Sequence, residues 1–262
     1  MPSSALHVAR TGLEAQDQRM RVIANNLANV GTTGFKRDRA NFATLAYQNA
    51  RVAGQQSSTE SDYATGLNLG TGVSVQSTTR IETQGTLNTT GNSLDMALDG
   101  DGYFQVQLPG GKLGYTRAGN FTRSAEGQLV TTQGYQVLPA ITVPEGATTI
   151  SISEDGTVSA AVAGETEAQQ LGQITIATFA NPGGLQAAAD NFMLETSASG
   201  TAQIGVAGEN GRGHIRQGML EGSNVNIVQE LVDMIETQRA YEINSKMISA
   251  VDEMLRNANQ TL

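Results

Sequence analysis

The C-terminal stretch of the chain decides its fold: NVNIVQELVDMIETQRAYEINSKMISAVDEMLRNANQTL, residues 224–262. Largely apolar side chains recur in it every seven residues, at Ile227, Met234, Tyr241, Ile248, Leu255 and Leu262. Seven residues make about two turns of an α-helix, so these side chains share one face of it. The stretch therefore predicts a long helix with a continuous apolar stripe.

The N-terminus, MPSSALHVARTGLEAQDQRMRVIANNLANVG at residues 1–31, repeats this pattern. Its apolar positions are Leu6, Leu13, Met20 and Leu27, with Ala9, Ile23 and Val30 at the intermediate offset. The pattern predicts a helix of about 27 residues, roughly 40 Å long, which ends near Gly31.

The C-terminal helix has a second apolar stripe, formed by Val228, Leu231, Val232 and Ile235. Its apolar arc is therefore wider than one partner helix covers. Because isolated helices are marginal in water, both terminal helices need partners. We expect them to pair as a coiled-coil-like domain and to contact several neighbours, which favours a self-assembling structural subunit over an enzyme.

The middle of the chain has a different composition. Nearly all of the 30 glycines lie between Gly31 and Gly222. Alternating apolar positions such as Phe104 and Val106, and turn sequences such as Asp155-Gly156, predict short antiparallel strands. The predicted fold class is α+β, with paired terminal helices, a mainly antiparallel β central domain and an extended connector arm.

The predicted arm includes residues 46–72, AYQNARVAGQQSSTESDYATGLNLGTG, which are polar and follow neither the helical nor the strand period. A connector of this length is unusual inside a compact domain, so we expect an extended arm or a segment disordered in isolation. The predicted organisation is an N-terminal helix at 1–35, the arm and connector at 36–90, the central β domain at 91–222 and the C-terminal helix at 223–262.

The formal net charge of −9 opposes attraction to nucleic acids and to anionic lipids. The basic cluster Lys36, Arg37 and Arg39 is interrupted by Asp38, and we interpret it as a solvated surface rather than a polyanion site. No apolar run is long enough to span a bilayer, and the N-terminus lacks the apolar core of a secretory signal. We therefore expect neither nucleic-acid binding nor membrane insertion.

Few residues are available for catalysis or metal binding. The histidines, His7 and His214, lie outside any recognisable catalytic motif, and the chain has no cysteine. The acidic segment at residues 95–102 suggests a calcium loop but lacks the closing glutamate, so a turn is the preferred interpretation. We expect no enzymatic activity, no metal and no cofactor.

Asparagine is concentrated where the first helix ends, at Asn25, Asn26 and Asn29. Asparagine is a poor helix former, and fraying and capping of the helix end is one explanation. The other is that these amides form hydrogen bonds between packed helices and fix their register. The sequence favours neither explanation.

Three separated segments resemble one protein family: ANNLANVGTTGFKR at 24–37, DGYFQV and YTRAGNFTRSAEGQLVTTQGYQVLP within 101–139, and SNVNIVQELVDMIETQRAYEINSKMI at 223–248. In this order they resemble the bacterial flagellar rod and hook family over essentially the whole chain. Within the family, the arm segments GQQSS at 54–58 and GLNLGTGV at 66–73 are most similar to the distal rod branch.

The resemblance implies a subunit of a rigid helical tube in the flagellar basal body, which spans the periplasm, transmits torque to the hook and serves as an export channel. Its implied partners are copies of itself, the hook and proximal rod proteins, the surrounding P- and L-ring proteins, and the export apparatus, which takes the chain without a cleaved signal peptide. As hypotheses, Asn25, Asn26 and Asn29 fix register, and the helical assembly contacts are Leu6, Leu13, Met20, Ile23, Leu27, Ile227, Met234, Tyr241, Ile248 and Leu255. The arm that braces neighbouring subunits includes Ala46, Gly54, Gln55, Gln56, Ser57, Ser58 and Tyr63.

Two other interpretations are compatible with the sequence. One is a hook or proximal rod subunit, and the other is a non-flagellar β-domain binding module with dimerising helical ends. Truncation of both ends separates the second from a rod subunit, because a binding module keeps its activity and a rod subunit loses assembly.

We expect both termini to be largely disordered in the dilute monomer and to fold on assembly, because each helix needs partners to bury its apolar face. Amide hydrogen exchange on the monomer measures this directly. Strong protection across residues 5–30 would contradict the expectation.

Overall fold

A computed structural model of the protein describes residues 2–58, 61–162 and 168–260; within these ranges the side chains of residues 2–4, 57, 58, 61, 255 and 258–260 lie outside the description. The chain forms two compact units. The helical unit comprises Met1–Ala28, Asp38–Thr79 and Asn226–Leu262, and the β unit comprises Asn29–Arg37 and Arg80–Val225.

Two long helices dominate the helical unit. Helix α1 spans Pro2–Ala28 and helix α2 spans Ile227–Gln260, and the two helices pack against each other. Asn226 caps α2, because its Oδ1 accepts hydrogen bonds from the backbone N–H groups of Val228 and Gln229 at 3.0 and 3.2 Å. The predicted pairing of the terminal helices is confirmed.

The arm residues of the helical unit form one long hairpin of nested strands. These strands are β1 (Asp38–Thr44), β2 (Tyr47–Arg51), β3 (Gln56–Ser58), β4 (Ser61–Asp62), β5 (Leu67–Gly70) and β6 (Val73–Arg80). β1 pairs with β6, β2 with β5 and β3 with β4, so the chain runs out along one strand and returns along the other. The sequence did not predict these strands, because neither face of the ribbon is buried in a core and the polar side chains show no alternation of apolar and polar positions.

The β unit contains short, mainly antiparallel strands. They are β7 (Leu87–Thr89), β8 (Met96–Asp99), β9 (Tyr103–Gln107), β10 (Leu113–Thr116), β11 (Phe121–Arg123), β12 (Leu129–Thr131), β13 (Gln136–Leu138), β14 (Ala147–Ile152), β15 (Thr157–Val162), β16 (Gln169–Gln173), β17 (Thr175–Thr178), β18 (Gln186–Ala187), β19 (Met193–Leu194), β20 (Gln203–Val206), β21 (His214–Gln217) and β22 (Met219–Glu221). The predicted α+β class, with a mainly antiparallel middle, is confirmed.

The main sheet of the β unit has the order β11-β12-β13-β9-β10-β19-β18, and β17 joins β9 to β20. A smaller sheet has the order β14-β15-β16, and β8 and β7 pair with β21 and β22. The turn predicted at Asp155-Gly156 connects β14 to β15, and Gly156 adopts a φ of 87°, which glycine accepts without strain.

The hydrophobic core of the β unit lies between these sheets. Phe104 is fully buried and packs edge-on against Phe121, with ring centroids 5.2 Å apart. Other members of this core are Met96, Leu98, Leu129, Val137, Ile141, Ile152, Val158, Ile174, Ile176, Ala207 and Ile215. The alternation that predicted the strand at Phe104 therefore marks residues that hold the β unit together.

The interpretation of Lys36 as part of a solvated basic surface is wrong. Lys36 is 3% exposed, and its Nζ donates a hydrogen bond to Glu221 Oε1 at 2.6 Å. Burial lowers the pKa of the Lys36 ammonium, and the neighbouring Glu221 carboxylate opposes that shift. The sequence contained no sign of this pairing because the two residues are 185 positions apart.

Phe104→Ala is expected to lower the free energy of unfolding of the β unit by about 3–5 kcal/mol, because it leaves a cavity in the core. Urea unfolding followed by tyrosine fluorescence measures the change. The matched control is Leu113→Ala on the exposed side of β10, where we expect about 1 kcal/mol or less. Equal losses for the two variants would show that the core is placed wrongly.

Candidate assembly surfaces

The seam between α1 and α2 buries small and polar side chains. On α1, the buried residues include Ala9, Ala15 and Ile23, while Leu6, Leu13, Met20 and Leu27 are only partly buried. Each apolar side chain contributes about 1.5–3 kcal/mol only when it is fully buried. Much of the apolar stripe predicted on α1 therefore keeps surface available for further contacts.

On α2, the seam uses a different set of positions from the one that the sequence emphasised. The buried positions are Glu230, Thr237 and Val251, each of which lies three residues after a member of the predicted stripe. Of the predicted contact residues, Ile227 and Tyr241 are exposed, and Met234 and Ile248 are partly buried. The side chain of Leu255 lies outside the described part of the structure.

The other face of α2 exposes a continuous apolar surface, which we call the outer apolar face. Its members are Ile227, Val228, Leu231, Val232 and Ile235. At 100° per residue, Val228, Leu231, Val232 and Ile235 lie about 100° or more around α2 from both Glu230 and Thr237, while Ile227 borders the seam at about 60° from Glu230. Val228 is 71% exposed and Ile235 is 51% exposed. Clustered apolar exposure of this kind marks an interaction site more often than an ordinary surface.

Asn26 connects three segments of the helical unit. Its Nδ2 donates to the backbone oxygen of Asp38 at 2.9 Å and to Glu230 Oε2 at 3.2 Å, and its Oδ1 accepts from the Asp38 N–H at 2.9 Å. Asn26 is 1% exposed. Its amide thus joins the end of α1, the start of β1 and the first turn of α2.

The other two asparagines are placed differently. Asn25 is exposed on α1. Asn29 belongs to the β unit and forms a local turn, in which its Oδ1 accepts from Thr32 Oγ1 at 3.1 Å and its backbone oxygen accepts from the Thr32 N–H at 3.1 Å. The capping explanation fits Asn29, whereas Asn26 bonds across helices.

The predicted arm residues lie on the hairpin. Ala46, Gly54, Gln55 and Gln56 are exposed, and the side chains of Ser57 and Ser58, in β3, lie outside the described part. Backbone hydrogen bonds between Gly54 and Tyr63 (2.8 Å) and between Tyr63 and Gln55 (2.9 Å) hold the outer half of the hairpin. The Arg51 guanidinium lies 4.1 Å from the centroid of the Tyr63 ring.

The described residues contain no cluster of three His, Asp or Glu side chains suited to a metal ion. His214 lines an open cavity of about 470 Å³ together with Glu154, Asp155 and Glu209. Within the same described ranges, neither helix is long and apolar enough to cross a membrane.

Known protein families match both ends and the middle of the chain. The family described as "Flagella basal body rod protein" matches residues 6–36, "Flagellar hook protein FlgE/F/G D1 domain" matches 97–160, and "Flagellar basal body rod FlgEFG protein C-terminal" matches 216–261.

Relatives match nearly the whole chain. The flagellar basal-body rod protein FlgG of Buchnera aphidicola subsp. Acyrthosiphon pisum is 50% identical over 256 residues, which cover 98% of each chain. The chain belongs to the flagellar basal-body rod protein family. Members of this family named FlgG from Caulobacter vibrioides and Bacillus subtilis are 47% and 38% identical, over 98% and 96% of each chain.

The predicted resemblance to the flagellar rod and hook family, and to its distal rod branch, is confirmed by these relatives. Membership of the flagellar basal-body rod protein family makes the chain a structural protein of the flagellar basal body. The candidate assembly surfaces described above are therefore surfaces of a rod subunit.

Asn26→Asp is expected to weaken assembly, because a carboxylate cannot donate to the Asp38 carbonyl and places a second negative charge beside Glu230. Leaving these buried groups unsatisfied costs about 1–3 kcal/mol, so the concentration required for assembly should rise roughly 5- to 150-fold. Light scattering across a concentration series measures it. Asn25→Asp, at the exposed neighbour, is the matched control and should change little; similar shifts for both variants would refute the special role of Asn26.

Proposed function

We propose that this chain is a structural subunit of the flagellar distal rod that self-assembles into a rigid helical tube, transmits torque to the hook and forms an export channel. The observation that carries the proposal is the outer apolar face of α2 in a chain of the flagellar rod family. A tube of this kind needs each subunit to present an adhesive surface after its own helices have paired.

The outer apolar face supplies such a surface. Its five aliphatic side chains are exposed, so pairing of α1 with α2 leaves much of their surface in water. Burial against another subunit would stabilise the contact by about 1 kcal/mol or more for each side chain. In this proposal, Ile227, Tyr241 and the partly buried Met234 and Ile248 contact neighbouring copies, and Ile23 belongs to the seam within the subunit.

The N-terminal helix contributes to the same contacts. Leu6, Leu13, Met20 and Leu27 each retain exposed apolar surface beside the seam. Asn26 fixes the register of α1 against α2 through its hydrogen bond to Glu230, while its two bonds to the backbone of Asp38 hold the end of α1 to β1. Directional bonds of this kind prevent the sliding that apolar contacts alone would allow.

The hairpin arm is proposed to brace adjacent subunits and stiffen the tube. The strand edges of a two-stranded ribbon can add backbone hydrogen bonds to a strand of a neighbouring subunit. Tyr47, Leu67 and Leu69 are exposed apolar side chains on this ribbon, and burying them gives such a contact a hydrophobic component.

The proposed partners are further copies of the chain, the hook and proximal rod proteins at the two ends, the surrounding P- and L-ring proteins, and the flagellar export apparatus. The proposed location is the part of the basal body that spans the periplasm, reached by export without a cleaved signal peptide. The proposal includes no enzymatic activity, no metal and no cofactor.

Ile235→Ser is expected to abolish assembly or to raise its critical concentration by about tenfold or more, because it removes a side chain from the outer apolar face. The unassembled subunit should keep its stability, since Ile235 is 51% exposed. Electron microscopy and sedimentation measure the assembled fraction.

The matched control for this experiment is Ile204→Ser, at a position 53% exposed in the β unit. It makes the same chemical change away from the terminal helices, so assembly should persist. If Ile235→Ser assembles as readily as Ile204→Ser, the outer apolar face is not the assembly surface. Straight tubes support a rod subunit, whereas bent tubes would favour a hook subunit.

A further inference from the structure

Three distant segments of the chain meet around one buried carboxylate in the β unit. Glu221 is completely buried; its Oε1 accepts hydrogen bonds from Lys36 Nζ at 2.6 Å and from the Gly85 N–H at 2.9 Å, and its Oε2 accepts from Arg117 Nη1 at 3.3 Å. Lys36 Nζ also donates to the Thr83 carbonyl at 2.8 Å. We call these five residues, Lys36, Thr83, Gly85, Arg117 and Glu221, the Glu221 clasp.

Backbone and amide contacts reinforce the clasp. The Gly34 N–H donates to the Glu221 carbonyl at 2.7 Å. Asn224 Oδ1 accepts from the Arg37 N–H at 2.7 Å, and its Nδ2 donates to the Ile81 carbonyl at 2.8 Å. The segments at 33–37, 81–85 and 221–224 are thereby held to one another within the β unit.

The charge balance of the clasp depends on Glu221. Lys36 and Arg117 are 3% and 5% exposed, so two cationic side chains are buried together with the one carboxylate that bridges them. Glu82 acts on Lys36 through electrostatic attraction at longer range, and it accepts a hydrogen bond from the Tyr103 hydroxyl. The Arg117 guanidinium lies 5.5 Å from the centroid of the Tyr103 ring. Without Glu221, Lys36 and Arg117 would repel each other in a poorly solvated site, which is strongly unfavourable.

We infer that Glu221 completes the packing of the β unit. The segments at 33–37 and 81–85 adopt their final positions only after the segment at 219–224, near the end of the β unit in sequence, has placed its carboxylate between Lys36 and Arg117. Lys36 and Arg117 oppose closure before that point, and the Glu221 carboxylate, which contacts both, reverses their effect. The β unit therefore completes its fold only when nearly all of its sequence is present.

The test uses hydrogen exchange measured by mass spectrometry on the unassembled full chain. Glu221→Gln keeps the shape of the side chain and removes its charge, so exchange in the segments 33–37, 81–85 and 219–224 should become about tenfold faster or more. Lys36→Met/Glu221→Gln removes one of the two stranded cations, so protection should return toward that of the unaltered protein. Recovery in the double variant distinguishes charge balance from a purely packing role.

Glu154→Gln is the matched control, because Glu154 forms an exposed ion pair with Arg216 in the same unit, and it should leave all three segments unchanged. If Glu221→Gln fails to fold, the double variant should fold and so preserve the test. The inference is overturned if Glu221→Gln exchanges like the unaltered protein, or if the double variant is no more protected than the single one. Because assembly is not measured, this failure is separate from failure of the proposed rod function.

Discussion

The pairing of the two ends of the chain is the constraint on which the rest of the structure depends. Helices α1 and α2 belong to one unit although nearly 200 residues separate them in sequence. After α1 the chain enters the β unit at Asn29–Arg37, returns to the helical unit for the arm at Asp38–Thr79, and forms the rest of the β unit before it reaches α2. A hairpin arm meets this requirement because it ends beside its own start, and the mainly antiparallel β unit is built from similarly short connections.

The helix seam contains directional polar contacts and few large apolar side chains. Alanine, threonine, asparagine and glutamate occupy much of the seam, while larger aliphatic side chains of α2 lie on the outer apolar face. Burial of apolar area drives association, so in the proposed tube contacts between subunits would bury more of the large aliphatic side chains of α2 than the helix pair does. The hydrogen bonds of Asn26 are directional, and hydrogen bonds of this kind add little net stability. Both properties suit a subunit that adheres mainly to copies of itself.

Periodic features were predictable from the sequence, and buried polar contacts were not. The seven-residue spacing predicted both helices, and alternation around Phe104 predicted a core strand, because a period is visible in one short segment. The second apolar stripe on α2 indicated further neighbours. The buried seam positions are Glu230, Thr237 and Val251, and because two of them are polar, a search for apolar periodicity does not detect the face that they share. Lys36 and Glu221 are brought together only by the completed fold, so the sequence around Lys36 predicted an exposed side chain.

The nested hairpin of the arm also determines how the length of the arm can vary. Residues removed from one strand must be matched on the other, and two per strand are needed to keep each side chain on its original face. The reach of the ribbon therefore changes in steps of about 7 Å, the rise of two strand residues. Because the residues are removed from the interior of the hairpin, such changes leave its ends at Asp38 and Arg80 in place. The length of the hairpin can thus change without moving its ends.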